Sequence, residues 1–157
     1  MMHGLGLFLH AVGYAVWLGA SLTFMVFGPA TRKEPLAAWA HTWITLGKVQ
    51  RILVAPAALV ATVTGIVLTM ALAKSQFDMG SATWLMVMQG FGLVAAIITI
   101  AFATPLANRM ARLAERSIEK GAMDPAAERV RKALALTSSI SGVMILVAIY
   151  FGVTRGG

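Results

Sequence analysis

The chain has 157 residues, of which 59% are hydrophobic and 12% charged, with no cysteine and a formal net charge of +7. A soluble domain carries about 25% charged residues, so a mean hydropathy of +0.80 calls for an apolar solvent. The missing cysteines exclude a disulfide framework, thiolate metal sites, iron–sulfur clusters and thiol chemistry. The positive charge sits in the connections between apolar segments and forms no surface stripe, which points to membrane topology and not to nucleic acid.

The first apolar segment covers residues 4–28 and stops at Gly28-Pro29, a helix terminator. It has no basic leader, its apolar run is long and no small-residue cleavage site follows, so it is read as a membrane helix and not as a signal peptide. His3, His10, Tyr14, Trp17 and Ser21 recur at helical spacing on one face, and Ala11, Ala15 and Gly19 form a small-residue seam on the opposite one. The second segment covers residues 52–73, with an inward extension from residue 36. Trp39 and Trp43, one turn apart in that extension, are expected to be interfacial anchors. Ala57, Ala61, Gly65 and Thr69 stand at strict four-residue spacing, which predicts a close helix contact there. Pro56 is expected to kink this helix.

The third segment covers residues 82–106 and continues to about residue 120. Gln89, Gly92 and Ala96 lie in its apolar part. Beyond it, Glu115 and Glu119 stand one turn from Arg112, Arg116 and Lys120, the pattern of a solvated helix end. Gly121 reads as the helix stop, and Asp124-Pro125 as N-cap and first residue of the fourth helix, residues 125–154, which carries Ser138 and Gly142. Each segment can cross a hydrocarbon core of about 30 Å. The expected fold is all-α: one integral membrane domain, 1–157, forming an up-down-up-down bundle of four transmembrane helices.

Arg32, Lys33, Lys48 and Arg51 lie between helices one and two. Arg109, Arg112, Arg116, Lys120, Arg129, Arg131 and Lys132 lie between helices three and four. Only Lys74 and Arg155 belong to the other side. The positive-inside rule then places both basic connections in the cytoplasm and both termini outside, in a bacterial inner membrane.

All six acids lie in connections, so a carboxylate proton relay within the membrane is not expected. His10 is the one ionisable group at membrane depth, about 9 Å below the outer boundary, and such groups are functional candidates. Gln89 falls at the same level, and the expected outer polar layer is His10, Tyr14 and Gln89 with Thr69 or Tyr150. The layer can fix helix register by hydrogen bonds, or hold a haem, a quinone or a metal ion. An imidazole can ligate haem iron or hydrogen-bond a quinone, and with some of the 10 methionines could bind copper. His3 is too far along the same face to share an iron with His10, and His41 belongs to the basic end.

The run Leu9-His10-Ala11-Val12-Gly13-Tyr14-Ala15-Val16-Trp17-Leu18-Gly19, followed by Phe27-Gly28-Pro29, resembles the first helix of a family of four-helix bacterial membrane proteins of unknown function. That family is similar to CopD-like and HemJ-like proteins. Gln50-Arg51, Thr64-Gly65, the Ala-Arg-Leu-Ala run after helix three and Tyr150 fit the same pattern. The resemblance implies copper handling, or haem b held by His10 with a lysine as second ligand. The histidine matches, whereas Lys48 and Lys74 stand at helix ends. No catalytic motif is present, so the expected function is a small accessory, scaffold or ligand-binding subunit, self-associated or packed with other membrane subunits. The alternatives are a b-haem- or quinone-binding redox protein with His10 as ligand, and a copper transport component.

Overall fold

The computed structural model describes residues 2–74 and 83–154, the side chains of Met2, His3 and Arg32 aside. The His3 side chain, the start of helix three at residue 82 and Arg155 therefore lie outside what is described. The chain forms four long helices: α1, Met2–Ala30; α2, Leu36–Lys74; α3, Thr83–Lys120; and α4, Pro125–Thr154. Among the described residues there is no strand. All four helices are long and apolar enough to cross a membrane, yet only 17%, 17%, 28% and 33% of their most apolar windows is buried inside the bundle. The remaining apolar surface faces outward, which is stable only in lipid. The protein is a multi-pass membrane protein.

Neighbours in sequence are neighbours in space. α1 packs between α2 and α4, and α3 packs along α4 at the end of the bundle where α1 begins and along α2 at the basic end. The helix order around the bundle is therefore α1–α2–α3–α4. At the end where α1 begins, α2 and α3 are the loosest adjoining pair.

Lipid tails are as apolar as leucine, so close backbone approach holds the helices together. A Cβ on Gly13 would stand 3.0 Å from the Ala61 nitrogen and 3.1 Å from the Ala57 oxygen, and Gly65 lies against the His10 ring. The expected Ala57–Ala61–Gly65 contact is thus present. Its partner on α1 is not the Ala11–Ala15–Gly19 seam: Ala11, Ala15 and Gly19 are exposed, with nothing within 4 Å of a Cβ on Gly19. One arc of α1 faces the bundle: Trp17 occupies it with its indole N–H on Thr99 of α3, and Ser21 lies buried one turn on, donating to Trp17 O of its own helix. The opposite arc is left to lipid.

Two helices widen locally. α2 has a π-turn at Gln50–Val54 just before Pro56, and α3 has one at Ile98–Ala103 just before Pro105. The Ala55 and Thr104 amides accordingly reach the oxygens five residues back, Gln50 O and Thr99 O. A proline removes an amide donor and crowds the carbonyl four residues earlier, and the wider turn relieves both.

At 39 and 38 residues, α2 and α3 are about 57 Å long, well beyond a core of about 30 Å. Their basic ends pack together around Trp39, Trp43, Met110 and Leu113. Both tryptophans are 2% exposed, so they are core residues and not interfacial anchors. Gly47 makes this possible, since a Cβ there would stand 2.8 Å from Ala111 Cβ. The Gly121 and Asp124 expectations hold. Gly121 is left-handed at φ 66° and donates its amide to Ile118 O. Asp124 Oδ1 accepts the Ala126 amide at 2.9 Å.

Candidate functional site

A cleft of about 150 Å³ opens near the end of the bundle where α1 begins. It is lined by His10 and Tyr14 from α1, Ala61, Gly65 and Ile66 from α2, and Gln89, Gly92 and Leu93 from α3. Ile66 and Leu93 also lie on the lipid-facing surface, 44% and 49% exposed, so the rim of the cleft is the loose α2–α3 flank.

Glycines make room for the larger groups. A Cβ on Gly65 would stand 2.8 Å from His10 Cε1, and one on Gly92 would stand 2.6 Å from the Tyr14 hydroxyl. His10 Nδ1 lies 2.7 Å from Ala61 O and 3.2 Å from Thr64 Oγ1. A carbonyl oxygen only accepts, so Nδ1 carries the hydrogen and Nε2 of the neutral ring is an acceptor. Nε2 has no hydrogen-bond partner among the described residues, and neither has the Tyr14 hydroxyl. Across the cleft, Gln89 Nε2 donates to Thr69 Oγ1, which itself donates to Gly65 O at 3.0 Å.

The structure therefore brings His10, Tyr14 and Gln89 to one cleft, with Thr69 behind Gln89. Tyr150 does not join them. It is 65% exposed and its ring packs edge-on against Phe151, because its register on α4 points it to lipid.

Below the cleft, aromatic rings lead into a polar network that sequence reasoning missed. The His10 and Tyr14 rings meet edge-on at 4.8 Å, and Tyr14 stacks on Trp17 at 5.8 Å. Trp17 Nε1 donates to Thr99 Oγ1 at 3.0 Å, Thr99 Oγ1 lies 2.7 Å from Ser141 Oγ, and Ser141 donates to Ala95 O at 3.3 Å. Since indole N–H only donates, the chain runs Trp17 to Thr99 to Ser141 to Ala95. Gln50 Nε2 donates to Thr104 Oγ1 at 3.0 Å, and Thr104 Oγ1 donates to Thr99 O at 2.9 Å. All four helices are thereby tied near mid-bundle. The one available signal was polar residues in apolar runs, next to Ala55-Pro56 and Thr104-Pro105.

The donor set fits neither haem nor copper well. Among the described residues no three His, Cys, Asp or Glu side chains cluster as a metal site. Met88 lines the cleft, but its sulfur packs toward α4, 2.9 Å from where a Gly152 Cβ would stand, and Met86 is 67% exposed. A cavity of about 150 Å³ matches one benzene-sized ring.

Comparison with protein-family models, with characterised proteins and with solved structures gave no match. The site is therefore read from its own geometry.

Proposed function

We propose that this protein is a small membrane-embedded binding subunit that holds the single-ring head of a lipid-soluble molecule of the quinone class. The observation that carries this reading is the His10 ring: Ala61 O fixes its Nδ1–H form, and its Nε2 is left as an acceptor in a ring-sized cleft. The lipid-facing rim suits a ligand whose tail stays among acyl chains while its head enters between α2 and α3. The exposed apolar flanks, including the unused Ala11–Ala15–Gly19 face, are compatible with an accessory role beside other membrane subunits. We place both basic connections in the cytoplasm of a bacterial inner membrane on the charge asymmetry alone.

Titration of the protein in nanodiscs with a short-chain benzoquinone and its hydroquinone tests the reading through quenching of tryptophan fluorescence, since the Tyr14–Trp17 stack adjoins the cleft. Saturable quenching by either form, weakened by Leu93→Trp at the rim, is the expected result. Non-saturable quenching identical in wild type and variant would exclude a site in the cleft.

A further inference from the structure

We propose that the cleft selects the reduced, dihydroxy form of its ring ligand over the oxidised, dicarbonyl form. This inference rests on the quinone-class reading above and adds the hydrogen-bonding sense of the site.

Two groups in the cleft have their hydrogen-bonding direction set by a backbone carbonyl behind them. Ala61 O takes the Nδ1 hydrogen of His10, so Nε2 presents a lone pair. Gly65 O takes the hydroxyl hydrogen of Thr69, so Thr69 Oγ1 can only accept from Gln89. The Gln89 amide must turn its NH₂ toward Thr69, which leaves Oε1 as a free acceptor. His10 Nε2 therefore only accepts, while Gln89 offers Oε1 as an acceptor and its second amide hydrogen as a donor. A quinone carbonyl also only accepts, so its lone pairs would oppose that of Nε2. A hydroquinone brings a hydroxyl donor that satisfies Nε2, while the Gln89 amide can serve either form.

The carbonyl form could be served by a protonated His10, but a charge there needs a counter-ion at membrane depth. Among the described residues every carboxylate belongs to the basic end: Glu34, Glu115, Glu119, Asp124 and Glu128. The Tyr14 hydroxyl does not restore balance toward the quinone, because a hydroxyl donates and accepts and serves either form.

The test is a binding titration of the nanodisc-embedded protein with three forms of one short-chain ring. These are the quinone, the hydroquinone kept reduced under anaerobic conditions, and the hydroquinone dimethyl ether, which has the same ring but no donor. The hydroquinone is expected to bind about tenfold tighter than either of the others, on the scale of one hydrogen bond. His10→Phe should remove most of that difference by weakening hydroquinone binding, whereas Gln89→Leu should leave the ratio of the two affinities in place, with helical content checked by circular dichroism. Equal affinity for all three, or tighter binding of the quinone, would overturn the preference and leave the cleft as a ring site. Saturable binding of none of them would overturn the quinone-class reading itself.

Discussion

Gln50 and Thr104 join the two π-turns of the bundle: the Gln50 amide donates to the Thr104 hydroxyl at 3.0 Å, from the first residue of one widened turn to the residue that closes the other. Each turn frees backbone groups before a proline. Thr104 adds a second hydrogen bond, from its hydroxyl, to the Thr99 O that already accepts its amide. The side chain of Thr99 is in turn shared with α1 and α4, so a local defect in two helices becomes a link among four.

Removing the centre of that link should be felt. Thr99→Val keeps the shape of the side chain but leaves the Trp17 N–H without an acceptor. A loss of about 1 kcal/mol is expected, measured by unfolding in mixed micelles, and Thr99→Ser should recover most of it. No loss for Thr99→Val would mean that the Trp17 hydrogen bond contributes nothing net.

The two faces of α1 should respond oppositely to bulk. Gly13→Leu places a side chain where Ala57 and Ala61 already stand, at an expected cost of about 1–3 kcal/mol. Gly19→Leu meets only lipid and should leave stability within about 0.5 kcal/mol. Thermal melts of both variants in one detergent decide the matter.

At the basic end, Arg131 is buried and paired at 2.7 Å with Glu128 through both Nε and Nη2. Glu128→Ala takes the carboxylate from a buried guanidinium and should cost about 1.5–3 kcal/mol. Lys132→Ala removes only an exposed pair at 3.8 Å and should be nearly neutral. The melting temperatures should differ accordingly.

Sidedness is open to direct measurement because the chain has no native cysteine. Glu119→Cys should react with a membrane-impermeant maleimide only from the cytoplasmic side, and Lys74→Cys only from the outside. The reverse pattern would invert the proposed topology without altering the fold.

Protein purified after haem-replete expression should show no Soret band, oxidised or reduced, and His10→Ala should not change its spectrum. A Soret band lost in His10→Ala would mean that the cleft admits a porphyrin, and would replace the single-ring reading.

The four spans, the Gly121 stop, the Asp124 cap and the Ala57–Ala61–Gly65 contact were legible along the chain, because each depends on neighbours three or four residues away or on the mere length of an apolar run. The convergence of His10, Tyr14 and Gln89 was legible too, since helix depth follows from residue count once the spans are antiparallel. That the His10–Tyr14–Trp17–Ser21 face of α1 turns inward was legible as well, because polar groups at membrane depth seek protein. That Gly13, and not the Ala11–Ala15–Gly19 seam, meets α2 was not legible, since it follows from Trp17 reaching Thr99 on α3. Trp39 and Trp43 read as boundary residues, while their burial depends on Gly47 letting α3 approach. Sequence periodicity records what one helix offers. Which offers are taken up, and which carbonyl lies behind His10 to leave its Nε2 an acceptor, is decided by how all four helices pack at once.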